Sequence, residues 1–232
     1  MTSKRTIVSA TRSSILALSL ALLAACGGAT QNNASQNNGT AAAAPAVPAN
    51  AGPVRGALAA FDGVCTRLMD RAAYITAATG AGWETYEATP DSILGRILAF
   101  GETAGREMIR QSGRTGEIDA EYATFRQTVN GRELFLVITQ MQIPGMSESR
   151  ECRVYDFAAP APTDADVTAW TSAPFQKSVE QGVTNYGWQP SFREGFTRID
   201  VTFIEENSPL RAQLPITGLS ISAVLAPQPT QQ

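Results

Sequence analysis

Asn130-Gly131 stands between two β-rich runs, and this dipeptide constrains the fold more than any other short feature of the 232-residue chain. Before it, Tyr122 to Val129 changes character with a period of two; after it, Arg132 to Ile143 is richer still in strand-forming residues. Asn and Gly both tolerate positive φ, so the pair predicts a tight hairpin turn. Residues 134–138, Leu-Phe-Leu-Val-Ile, are apolar at every position. A half-solvated strand would alternate, so this one is expected at the centre of a sheet, covered on both faces. Pro144-Gly145 turns the chain, and Glu151 to Phe157 supplies a third strand with Cys152 and Val154 on one side. Phe196 to Ile204 and Thr217 to Leu225 add two more. Ile199, Val201 and Phe203 share a face in the first, and Leu219, Ile221 and Ala223 in the second. About five antiparallel strands are expected.

Helices come in two blocks. Pro53 suits a helix start, and Leu58, Phe61, Cys65, Leu68, Ala72 and Ile75 keep to one helical face, ended by Gly80 and Gly82. Asp91 is an N-cap type ahead of Ile93, Leu94, Ile97 and Leu98, a helix of two or three turns that Gly101 and Gly105 weaken. Thr163 with Asp166 resembles a capping box, and Pro174 splits the second block into two short helices, about 164–172 and 174–182. Strands in consecutive runs and helices in blocks predict an α+β domain over about 54–225, with an antiparallel sheet and an N-terminal amphipathic helix packed on it. Gly82-Trp83 and Gly187-Trp188 each come after a helix, a faint echo between the two halves. Residues 27–53 carry no charge and are built from Ala, Asn, Gln, Gly, Pro, Ser, Thr and one Val, and they read as a tether. Residues 226–232 read as a loose tail.

The chain begins with Lys4, Arg5 and Arg12 and no acid, then an apolar stretch closing on Leu23-Ala24-Ala25-Cys26. This resembles the lipobox signal of bacterial lipoproteins. The resemblance covers residues 1–26 and implies removal of residues 1–25, with the Cys26 thiol diacylated and the new amine acylated. The apolar run falls short of the about 20 residues that cross a bilayer. Each buried methylene is worth about 0.8 kcal/mol, so two or three acyl chains hold a protein on a membrane. Gly at position 27, rather than Asp, is similar to the outer-membrane sorting pattern of enterobacterial lipoproteins. The implied location is the cell envelope, with the domain in the periplasm.

Charge agrees with lipid anchoring. Residues 1–25 hold three of the 18 basic groups and none of the 21 acidic ones, which leaves the remainder at a net −6. Nucleic acid and anionic lipid surfaces both demand a basic face, so neither is an expected partner. Lys177 is the one lysine after residue 25. Beyond Cys26 the cysteines are Cys65 and Cys152, and in an oxidising envelope the pair predicts a disulfide.

The chain contains no histidine. That removes Ser-His-Asp and Cys-His nucleophile systems, His-based metal sites and the usual base near neutral pH. No phosphate loop, EF-hand loop or Ser-x-x-Lys motif occurs, and no metal or other cofactor is expected. Glu205-Glu206 are adjacent carboxylates at a strand end, but neighbouring strand residues point to opposite faces. Trp83 and Trp188, each after a Gly, are the candidates to line a ligand or partner groove, and Met141 to Met146 can form an adaptable apolar lip. The reading is a non-enzymatic binding domain for an envelope protein or an apolar ligand. The alternatives are a lipid carrier with an apolar cavity under the sheet and, third, a hydrolase of envelope polymers using carboxylates alone.

Overall fold

The computed structural model describes residues 52–66, 70–113, 117–142, 148–214 and 216–225. Cys26, the tether up to Ala51, the Pro144-Gly145 turn and the C-terminal tail lie outside the described residues. In chain order the elements are α1 (Pro53–Cys65), α2 (Arg71–Gly80), β1 (Glu84–Thr85), α3 (Ile93–Gln111), β2 (Asp119–Val129), β3 (Arg132–Gln142), β4 (Ser149–Asp156), α4 (Asp164–Trp170), β5 (Gln176–Glu180), β6 (Val183–Trp188), β7 (Phe196–Ile204), a 3-10 turn (Pro209–Ala212) and β8 (Gly218–Leu225).

All eight strands join one antiparallel sheet in the order β1-β2-β3-β4-β8-β7-β6-β5. Two four-stranded meanders thus meet where β4 pairs with β8. The α+β class holds, but eight strands replace the expected five. The five strands legible in the sequence are the contiguous centre, β2-β3-β4-β8-β7; the additional three lie at the edges. Gln176 to Glu180 is exposed at every position. It carries no apolar pattern, so the helix expected over 174–182 is instead strand β5. Its turn to β6 uses Gln181 and Gly182 at φ of 52° and 73°, the same left-handed pair as Asn130 and Gly131 at 51° and 75°.

The long N-terminal helix is two helices. Asp70 restarts the chain as an N-cap, its carboxylate accepting from the Ala73 N–H at 2.7 Å, and a helix that must restart cannot carry one stripe through. Helix α3 runs 19 residues, longer than expected, from the Ser92 N-cap. Gly105 does not break it. A Cβ there would come within 2.7 Å of the Ile118 side chain, so the absent side chain lets the helix pass close to the segment leading into β2.

One face of the sheet carries α1, α2 and α4. Leu134, Leu136, Ile138, Val154, Ile199, Val201 and Ile221 bury there against Leu58, Phe61 and Val64 of α1. Cys65 and Cys152 join across this layer, with 5.3 Å between their Cα atoms and no exposure of either residue. The other face is covered in part. Leu94 and Ile97 of α3 pack on Val137 and Tyr155, with Ile204 and Ile216 beside them. Strand β3 is therefore enclosed on both sides, which is why its apolar run does not alternate. Arg132 clamps this region, giving Asp156 two hydrogen bonds of 3.0 and 2.7 Å where the carboxylate is 1% exposed.

Candidate functional site

Strand β2 is eleven residues long, but β1 covers little of it. Glu84 and Thr85 pair with Arg126 and Phe125, and Tyr86 adds its N–H to the Thr124 carbonyl at 2.9 Å and its own carbonyl to the Thr124 hydroxyl. Beyond Tyr86 the chain turns away toward α3. Backbone groups that face outward on an antiparallel strand recur every second residue. Thr124 faces β1, so Tyr122 and Ala120 present their outward N–H and C=O groups along an edge with no strand beside it among the described residues. Arg71 of α2 reaches one of them, the Tyr122 carbonyl, at 3.2 Å, and also pairs with Glu121 at 3.4 Å.

An open groove of about 550 Å³ lies beside Tyr122 to Phe125, where β1 ends and the uncovered edge begins. Ile75 of α2 and Leu98 of α3 form its flanks, and Tyr86, Ala88, Tyr122 and Ala123 line it between them. Burial, with Glu102 next in effect, pushes the Tyr122 phenol up to about 12, so it stays a neutral hydrogen-bonding group throughout the physiological range. An unpaired strand edge flanked by apolar side chains is a template for an added strand.

Away from α3 the second face is polar, and Glu151, Asp200 and Ser222 are buried in it. From β4 to β6 the register sets Arg153 beside Ser222, Ser222 beside Asp200, and Asp200 beside Gly187. Arg153 ion-pairs with Glu151, and Arg198 ion-pairs with Asp200 at 2.5 Å. Burial works against the charge on Arg153, but Glu151 and Tyr155 more than offset it and hold its pKa above the usual guanidinium value.

Aromatic residues gather on the helical face near α4. Trp170 packs edge-on against Phe61, Trp188 and Phe192. Its indole N–H donates to Asp62 at 2.9 Å, and Arg193 donates to the same carboxylate at 2.8 Å. Burial raises the Asp62 pKa, against the opposing pull of Arg193 and of these hydrogen bonds.

Trp83 and Trp188 are each only 3% exposed and belong to the main core. Trp188 donates its N–H to the Ala173 carbonyl at 3.3 Å. Both rings face the core rather than the surface. Trp170 is the tryptophan that reaches solvent in part. Glu205 and Glu206 are exposed in the turn after β7, and among the described residues no group of His, Cys, Asp and Glu is placed to hold a metal ion. Met141 is buried in the core, while Met146 lies outside the described residues. The β2 edge is not visible in the sequence, since only the early departure of β1 exposes it.

No family model, no curated protein and no solved structure matches this chain.

Proposed function

We propose that this protein is a lipid-anchored binding domain of the bacterial cell envelope, held at the outer membrane through Cys26, that captures an extended segment of a partner protein along β2. The observation that carries the binding role is the strand edge at Ala120 and Tyr122 near the apolar groove, which no strand covers among the described residues and of whose outward groups Arg71 takes the Tyr122 carbonyl. The lipobox-like segment supports the anchor, and the buried Cys65–Cys152 bridge suits an oxidising compartment.

The occupant is a strand, for three reasons. The outward backbone groups offer hydrogen bonds in strand register, which a folded surface or a free lipid does not match. The flanks from Ile75 and Leu98 accept side chains pointing to both faces of an added strand. Glu87, Glu117 and Asp119 lie around this edge, exposed and without an ion-pair partner among the described residues, so the segment alternates apolar with neutral or basic side chains.

The test is capture of the native lipoprotein after cross-linking in cells, with proteins and lipids identified, done in parallel with Ala120→Pro. Proline removes an outward N–H without breaking a β2–β3 bond. One partner recovered in stoichiometric amount with the wild type and lost with Ala120→Pro supports the reading. A partner retained by the variant, or bound lipid with no protein, overturns it.

A further inference from the structure

Strand β5 ends the sheet on the side away from β2 and pairs with β6 alone. All five of its residues are exposed, and Val179, at 64%, is the most exposed large hydrophobic residue among those described. Its neighbours fix which backbone groups face outward. The Glu205 N–H donates to the Gly182 carbonyl at 2.8 Å, so Gly182, Thr184 and Tyr186 turn their backbone groups toward β7. Val183, Asn185 and Gly187 therefore bond to β5, at Glu180, Ser178 and Gln176. Lys177 and Val179 are left with their N–H and C=O groups pointing away from the sheet, with no strand beside them among the described residues.

The devices that usually protect such an edge are weak here. Gln176 to Glu180 includes no proline, and its register with β6 has no bulge. The Lys177 ammonium is drawn back onto its own domain, to Asp164 at 2.5 Å and over the Tyr186 ring at 5.1 Å, rather than out along the edge.

The strand is also complementary to itself. An antiparallel copy related by a two-fold axis at Ser178 sets Lys177 against Val179 of the second copy, and Val179 against its Lys177. Both are hydrogen-bonded pairs, so every outward group of each strand finds a partner. Gln176 then stands opposite Glu180 of the second copy, an amide donor against an exposed carboxylate. The neighbouring registers are poorer. An axis at Lys177 sets the two lysines against each other, and an axis at Val179 sets Lys177 against Gln181, whose φ of 52° takes it out of the strand. We infer that β5 is a self-association edge, where two copies of this chain pair antiparallel about Ser178 and join their sheets into one. The contact is isologous, so it closes at two copies. It leaves the β2 edge of each copy free and does not depend on the strand-capture reading.

The test is disulfide trapping in the purified full chain under mild oxidant, read by non-reducing electrophoresis with the linked residues mapped by mass spectrometry. At the axis Ser178 meets its own counterpart as a non-hydrogen-bonded pair, with Cα atoms about 4.5 Å apart, which a disulfide can span. Ser178→Cys should therefore give a dimer linked from 178 to 178. Gln176→Cys or Glu180→Cys alone stands out of register with its own counterpart and should link at least about tenfold less, whereas the two together should link 176 of one copy to 180 of the other. Val179→Pro in the Ser178→Cys chain removes an outward N–H from each copy without touching a β5–β6 bond. With two hydrogen bonds gone, the link should fall at least about tenfold, with the thermal midpoint as the check that the variant folds. Absence of a 178–178 link overturns the inference, as does linking from Gln176→Cys or Glu180→Cys alone as readily as from Ser178→Cys. A link unchanged in a folded Val179→Pro chain overturns it too, and if that variant does not fold the cysteine pairs decide alone.

Discussion

Replacing both bridge cysteines, Cys65→Ala with Cys152→Ala, should lower stability by an amount the chain length sets. The bridge closes a separation of 87 residues. In the chain-entropy treatment, a loop of that length restricts the unfolded chain by about 4.6 kcal/mol at 25 °C. A domain of this size loses about 2–4 °C of melting temperature per kcal/mol, so the midpoint should fall by about 10–18 °C. The loss of two buried sulfur atoms adds to this rather than offsetting it. Location sharpens the expectation. The bridge ties α1 to β4, near the centre of the sheet, and neither cysteine is exposed. Reductant therefore has to wait for the core to open. Dithiothreitol added to folded protein should reduce the bridge at a rate set by unfolding, rising steeply with denaturant. The assay pairs thermal melts with timed thiol labelling and mass spectrometry. A fall in midpoint of less than about 5 °C would refute the entropic argument. Reduction of the folded protein at a rate proportional to reductant would refute the burial argument.

Three further expectations rest on the same geometry. Arg132→Ala strands the Asp156 carboxylate in the core and should cost about 3–5 kcal/mol in urea unfolding, with Asp156→Asn in the same chain recovering part of it; a cost under about 1 kcal/mol contradicts the clamp. Asp62 has a raised pKa in the folded protein, so its contribution is fully present below the ordinary carboxylate value and is lost as pH rises through the raised one. The stability of wild type relative to Asp62→Asn should accordingly decline across the upper carboxylate range, and a difference that grows with pH contradicts the assignment. Iodide should quench Trp170 while leaving the two buried indoles largely protected, which single-tryptophan variants measure directly; ready quenching of Trp83 or Trp188 contradicts their place in the core.

How much of this was legible depends on burial. Strands β2, β3, β4, β7 and β8 bury at least one face, and their sequences show it as alternation or as an unbroken apolar run. The Asn130-Gly131 turn comes from residue type alone. Strand β5 is wet on both sides, so Gln-Lys-Ser-Val-Glu has no pattern to read, and its turn at Gln181-Gly182 places a residue other than Asn or Asp at positive φ. Strand β1 is two residues long and exists only because β2 is there to pair with it. The Gly-Trp echo does not fall at matching places in the two meanders. Trp83 immediately precedes β1 in the first meander, and Phe175 immediately precedes β5 in the second, whereas Trp188 ends β6 and lies one strand over. Site residues were the least legible. The β2 edge depends on where β1 stops, which is not a property of any local stretch of sequence.

Strand capture at β2 is tested most directly by a photo-reactive amino acid placed in the full chain in living cells, once at Glu121 on the β2 edge and once at Val179 on the opposite edge. Both positions are exposed, so both report contact without disturbing the core. Ultraviolet light should link one defined protein to the chain from position 121 and not from 179, and Ala120→Pro should abolish that link. The same protein linked equally from both edges, or a link at 121 that survives Ala120→Pro, would contradict the account.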